Sequence, residues 1–397
     1  MEKKVYADYN ATTPLKKEVK EAMVGDLDIY GNASSMHSSG RLARSRVEES
    51  RRAVASLVGS SPSSIIFTSG GSESNNTVFT AMMRLAAENR SSQNVRDEFI
   101  TSSIEHPCVH NSALYSKDLG FKVHFIPVDE YGKLRMDVFK SLLSEKTLLV
   151  SVMMANNEIG TVQDIKEISL LAKKAGAFMH TDAVQAVGKI PVNVTELEVD
   201  YLTMSAHKIY GPKGIGALYV KKGAPVFCLI HGGHQEEGLR AGTYNNLGIL
   251  GFGKAAELAA KDLDEYGRKT FALREKLKNG LLEKIKDIRI NGHPKDVLPN
   301  TLNVSFPGAE GEAILLSLDL AGIEVSTGSA CASGSLEPSQ VLMAIGLGPE
   351  LAHGSIRFSL GWQSTEDDID YIIETLTPII ERLRTMSTVN SQGEKYV

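Results

Sequence analysis

The stretch YLTMSAHKIYGPKGIGALYV, residues 201–220, reads as two apolar strands joined by a tight polar turn. The first strand runs into Ser205, His207 and Lys208, the turn is Gly-Pro-Lys-Gly, and the second strand starts at Gly216. A lysine at a strand tip is ordinarily a solvated surface side chain. A lysine held in a crevice, with its pKa lowered, is the residue type that forms a Schiff base with an aldehyde. Which of the two Lys208 is depends on the sheet around it.

Five more runs of the same character lie upstream: SIIFTS (64–69), EFITSS (98–103), KVHFIPV (122–128), LLVSVMMAN (148–156) and AFMHTD (177–182). Helical segments separate several of them; from Ile165 to Ala175, for example, Ile165, Ile168, Leu171 and Ala172 share one face. This alternation predicts an α/β protein with a mainly parallel, seven-stranded sheet covered by helices. The strands end in polar, Gly-rich or His-bearing tips, where open α/β sheets place their ligands.

Beyond about Gly253 the pattern changes to long helices, then the short strands IRING, NTLNVSF, IEVSTG and SIRFSL, and a final helix DDIDYIIETLTPIIERLRTM. The expected division is a large domain over residues 15–255 and a smaller α+β domain from residues 1–14 and 256–386, with 387–397 a disordered tail.

The 397 residues are 42% hydrophobic and 23% charged, the balance of a soluble globular protein. The 43 Lys+Arg against 48 Asp+Glu leave a net charge of -5, so no global field favours nucleic acid or an anionic membrane. A small molecule or another protein is the expected partner. Cys108, Cys228 and Cys331 lie far apart with no CxxC spacing, which argues against a disulfide framework and a zinc site. The N-terminus turns polar at once and no apolar run approaches the roughly 20 residues of a membrane span, so a reducing, cytoplasmic setting is expected. His231 and His234 stand three apart in HGGHQEEG, where the glycines argue against a helical metal site, and no metal is expected.

Several strand tips carry residues suited to chemistry. Ser69-Gly70-Gly71-Ser72-Glu73-Ser74 follows a strand and opens a helix, which offers free N–H groups to a phosphate or, more plainly, a turn capped by Ser72. It matches neither GxGxxG nor GxxxxGK[ST], so dinucleotide and P-loop readings lack their fingerprints. In HTDAVQAVGK, Asp182 and Gln185 stand just past a strand end; a buried carboxylate there needs a cationic partner, and a protonated pyridine nitrogen is one. His106, pinned by Pro107 in SSIEHPCVH, suits stacking on an aromatic cofactor ring and moving protons near neutral pH. Ser205 and His207 beside Lys208 would complete a phosphate cup.

In this order the parts describe a pyridoxal 5'-phosphate site, and the chain resembles the cysteine desulfurases of the NifS/IscS type, within the class V aminotransferase-like enzymes of PLP-dependent fold type I. The resemblance runs nearly end to end. It rests on DYNATTP (8–14), GNASSMHSSG (31–40), FTSGGSES (67–74), EH (105–106), NNEIGTVQ (156–163), HTDAVQAVG (180–188), SAHKIYGPKGIG (205–216), GGHQEEGLRAGT (232–243), STGSACASGSLEPS (326–339) and SIRFSLG (355–361). Ser72 stands where the family commonly has Thr, and Ala33 where Pro is common after GN.

The resemblance implies that Lys208 carries the cofactor covalently, His106 stacks on its ring, Asp182 keeps the ring nitrogen protonated and Gln185 meets the phenolic oxygen. Gly71, Ser72, Ser205 and His207 would hold the phosphate, with Thr243 reaching it from the other subunit of a homodimer. Asn157 would lie beside cofactor and substrate, and Arg357 would grip the substrate carboxylate. L-Cysteine would lose its α-proton to Lys208 and its sulfur to Cys331, leaving a persulfide and alanine, with His106 as proton donor. Cys108 and Cys228 read as structural. The bare run from Ser326 to Ser339 suits a thiol that must travel from the cofactor to an iron–sulfur scaffold or a tRNA-thiolation partner. A selenocysteine lyase or a class V aminotransferase on the same fold, and a silent binding partner, are the competing readings.

Overall fold

The computed structural model describes residues 3–89, 95–328 and 338–386; Cys331 and the tail 387–397 lie outside the described residues. The seven apolar runs form one seven-stranded sheet in the order Ile65–Thr68, Gly216–Val220, Tyr201–Ser205, Phe178–Asp182, Thr147–Ser151, Glu98–Ser102, Lys122–Ile126. Neighbours pair in parallel except around Gly216–Val220, which runs antiparallel to both of its neighbours. A short turn can return a chain only in the opposite direction, which is what the Gly-Pro-Lys-Gly stretch does.

Successive side chains of a strand point to opposite faces, and the sheet uses both. Ile65, Phe67, Ile100, Val150, Met179, Leu202, Met204 and Ala217 face one core with the helix Ser38–Leu57 and the start of the helix Asn246–Lys284. Ile66, Phe99, Leu149, Tyr201, Leu218 and Val220 face another, closed by Phe79, Met82, Val109 and Ala113. Burial on both faces explains why these strands read as continuous apolar runs rather than as alternation.

The helix Asn246–Lys284 has 39 residues and so spans about 58 Å, and it passes from one core to the next. Its Leu273, Leu277 and Leu281 join Leu302, Val304, Ile356 and Phe358 of the antiparallel sheet Ser355–Ser359, Thr301–Ser305, Arg289–Asn291. The final helix, Glu366–Met386, adds Ile369, Ile372, Ile373, Leu376 and Ile380, spaced as one helical face. The expected boundary at residues 255 and 256 falls inside the long helix. The N-terminal Val5–Tyr6 pairs in parallel with Ile323–Glu324, and the chain then crosses to the strand tips, where Thr13 N donates to the His207 carbonyl at 3.0 Å.

His180 sits inside the parallel sheet with no exposed surface, between Ser151 Oγ at 2.8 Å and Thr203 Oγ1 at 3.1 Å. Burial pushes its imidazole down to about 3, so the folded protein holds it neutral where the unfolded chain would protonate it. Its contribution to stability is complete above the ordinary histidine pKa of about 6.5 and is lost as the pH falls from there toward 3. Urea unfolding between pH 7 and 4 is expected to show His180→Gln shedding up to about 1.4 kcal/mol per pH unit of the wild-type acid slope.

Candidate active site

At the carboxyl ends of the parallel strands lies a cavity of about 330 Å³, and every site residue expected from the sequence that falls within the described residues, except Thr243, lines it. Asp182 ends its strand here; its Oδ2 accepts from Asn75 Nδ2 at 2.7 Å and its Oδ1 from Val184 N at 3.0 Å. Both donors are neutral, so the buried carboxylate suits a cationic ligand atom. Gly71 and Ser72 open the helix Gly71–Glu88, whose N-terminal N–H groups form an anion site. Gly70, not Ser72, occupies the cap position, so Ser72 lies within the first turn and its expected capping role is corrected. A side chain at Gly71 would come within 2.9 Å of Val184 Cγ2, so Val184 would have to shift to admit one.

Ser205 ends the next strand, while Lys208 lies beyond it on the one-turn helix Ala206–Lys208, a correction to its reading as a strand residue. The turn lifts Lys208 Nζ to the carbonyls of Asn10 at 2.5 Å and Ala11 at 2.7 Å, so the amine is held in the crevice. His207 bonds Thr12 Oγ1 at 3.1 Å; burial, aided by Lys208, Lys213 and Lys189, pushes its pKa down to about 4 and keeps it neutral. His106 caps the helix Pro107–Asp118, its Nδ1 accepting from Cys108 N at 3.2 Å, which leaves Nε2 to carry the ring proton. Burial lowers its pKa as well.

Gln185 and Asn157 stand on the wall toward the N-terminal segment. Gln185 Nε2 donates to the Asn10 carbonyl at 2.9 Å, and its Oε1 accepts from Lys189 Nζ at 2.6 Å. The Asn157 carbonyl accepts from Arg357 Nη1 and from Asn10 Nδ2, both at 3.1 Å. Arg357 reaches in from the antiparallel sheet with Nη2 on Asp8 Oδ1 at 2.6 Å, and its buried Nε has no hydrogen-bond partner among the described residues. A guanidinium on the cavity wall is equipped for a carboxylate.

Thr243 is exposed and lines a separate concavity with Ser69, Gln235 and Gly242, so this chain alone does not bring it to the cavity. Gly328, at a φ of 88° that favours glycine, touches the cavity rim. The sequence reading gave Asn10, Glu105 and Lys189 no role here and took Cys108 as structural. Cys108 Sγ lies 2.9 Å from His106 Nδ1 and 3.1 Å from Asn75 Nδ2, and burial, then Asp182, pushes its thiol up to about 12. It is a protonated cavity-wall group, near a histidine yet not a thiolate.

The donor set fits pyridoxal phosphate: a helix N-terminus with Ser205 and His207 for the phosphate, a buried carboxylate for the pyridine nitrogen, and a held lysine amine for the aldehyde. Fold and site together define a pyridoxal-phosphate-dependent enzyme of fold type I. The chain belongs to the class-V aminotransferase family, whose model matches residues 5–372. It is 49% identical over 389 residues to the cysteine desulfurase IscS of Dictyoglomus turgidum, covering 98% of this chain and 97% of that one. The IscS cysteine desulfurase of Methanosarcina thermophila is 45% identical, with 97% and 94% covered. Among solved structures, a NifS-like protein from Rickettsia africae superposes with a TM-score of 0.86 at 35% identity, covering 96% of this chain and all of that one. No helix among the described residues is long and apolar enough to cross a membrane.

Glu105, next to His106, is buried beneath the cavity, where Oε1 accepts from Ser102 Oγ at 2.5 Å and Met153 N at 2.9 Å. Burial pushes its carboxyl up to about 8, so the folded state binds a proton that the unfolded chain releases above about 4.5. Glu105 therefore costs stability progressively as the pH rises from 4.5 toward 8. Thermal unfolding is expected to show Glu105→Gln gaining on the wild type between pH 5.5 and 8.5; a constant difference would place the carboxyl's pKa in its ordinary range.

Proposed function

We propose that this protein is a cysteine desulfurase that converts L-cysteine to L-alanine and takes the sulfur onto Cys331. The observation that carries the reading is the meeting of Lys208 and Arg357 in one cavity, which together match the two ends of an α-amino acid. The full-length similarity to cysteine desulfurases supports cysteine as that amino acid. Gly328 touches the rim and Cys331 follows three residues later in the sequence.

Pyridoxal phosphate, when bound, supplies the electron sink for the reaction. Gly71, Ser72, Ser205 and His207 hold its phosphate, Asp182 its ring nitrogen, and His106 its ring face. Arg357 binds the substrate carboxylate through guanidinium N–H groups that it now shares with Asp8 and Asn157. Lys208 takes the α-proton, and Asn157 orients the substrate beside it. The Cys331 thiolate attacks the substrate sulfur, forming an S–S bond as the C–S bond breaks. His106, neutral with its proton on Nε2, gives a proton to the substrate Cβ, Lys208 returns its proton to Cα, and the product leaves as alanine.

The same reading makes the protein a cytoplasmic homodimer in which Thr243 completes the partner subunit's phosphate site. The persulfide passes to an acceptor protein serving iron–sulfur assembly or tRNA thiolation. Residues 15–255 form the large domain, and residues 1–14 with 256–386 the small one.

Purified yellow protein given L-cysteine and a thiol reductant is expected to release sulfide and alanine in equal amounts. Cys331→Ala is expected to keep the colour and lose both products. Sulfide release that survives this substitution would remove Cys331 from its role, and colour with neither product from the wild type would overturn the activity.

A further inference from the structure

Lys189 is a buried amine for which the reaction described above has no use. It is 3% exposed, on the turn after Gln185, with neighbours Ala186, Val187 and Ile190 all apolar. Its Nζ lies 2.6 Å from Gln185 Oε1 and 2.9 Å from Asn10 Oδ1. No acidic side chain pairs with it among the described residues, and the charges facing it, Lys208 and Arg357, are both cations that together with burial lower its pKa. A buried lysine without a carboxylate is costly where methionine would fill the same volume, so the two contacts carry its function.

We infer that Lys189 is a positioning residue that holds the Gln185 amide with its oxygen turned away from the cavity, so that Gln185 presents an N–H donor to the ligand. This rests on the reading that the cavity takes pyridoxal phosphate. The Gln185 amide is gripped at both ends: Oε1 by an amine, which supplies two N–H groups whether or not it is protonated, and Nε2 by the Asn10 carbonyl, which can only accept. Turning the amide over would set its oxygen against the Asn10 carbonyl oxygen and forfeit the bond that Lys189 donates to Oε1. One Nε2 hydrogen is thereby spent on Asn10, and the other is free for the cavity that Gln185 lines. Without Lys189 the Asn10 carbonyl holds one end only, and two buried carbonyl oxygens lose their shared donor.

A donor facing the ring's phenolic oxygen stabilises its ionised form and lowers the pH at which the bound cofactor's visible band changes. The titration is read on the holoenzyme in the absence of substrate, where Asp182, His106, His207, Cys108, Lys208 and Arg357 are the other titratable groups on the cavity wall. Lys189→Met is expected to raise that pH by about one unit, and to raise it far less when Gln185 is already alanine. Lys189→Gln, which keeps an N–H donor in the chamber, is expected to stay within roughly 0.3 unit of the wild type and serves if the Met variant fails to fold. An unchanged titration in Lys189→Met overturns the inference. So does an equal shift with and without Gln185, which would mean that Lys189 acts through its charge alone, and so does Lys189→Gln titrating like Gln185→Ala. A wild type that shows no cofactor band fails the functional reading instead.

Discussion

The site depends on a buried polar knot around Asn10, a residue 1% exposed on the N-terminal segment. Its carbonyl accepts from Lys208 Nζ and Gln185 Nε2, and its Oδ1 from Lys189 Nζ and Asn300 Nδ2. Its Nδ2 donates to the Asn157 carbonyl and Thr301 Oγ1, and its backbone N–H to Ser359 Oγ. One residue thus ties the seven-stranded sheet's tips to the antiparallel sheet that carries Arg357. Buried polar networks are stabilising only when fully satisfied, and they then enforce one geometry. Here that geometry fixes the spacing of Lys208 and Arg357 across the cavity.

Electrostatics follows from the same packing. Lys208 and Arg357 line a cavity whose histidines, His106 and His207, are kept neutral by burial. The local field therefore favours anions without a further positive charge on the rings. Asp182 sits among neutral donors, and Asp8 holds Arg357 in place through Oδ1. A phosphate and a carboxylate are matched to the first group, and a ring cation to the second.

Much of this was legible in the sequence, because strands buried on both faces are written as apolar runs with polar tips. Each of the seven runs holds a strand, and the helix over Ile165–Lys174 begins at the expected residue. Lys208, Asp182 and His106 stood out because polar residues at apolar strand ends need a reason. The start of the helix after Ser69 was misread by two residues, since Gly70 is as able as serine to take the non-helical cap conformation. Lys189 and Glu105 carried no local signal: an isolated lysine or glutamate reads as surface, and only the tertiary packing of the N-terminal segment and the Met153 loop buries them. Thr243 was expected at the phosphate by resemblance alone, and this chain's geometry places it in a separate concavity with Ser69, Gln235 and Gly242.

The central claim is that the crevice holds Lys208 as the amine that carries the cofactor, with Lys189 close by yet committed to Gln185 and Asn10. Reducing the purified protein with borohydride and mapping its peptides by mass spectrometry tests this directly. A pyridoxyl group on Lys208 and an unmodified Lys189 is the predicted result. The group on Lys189, or on no lysine of the cavity, would contradict the account.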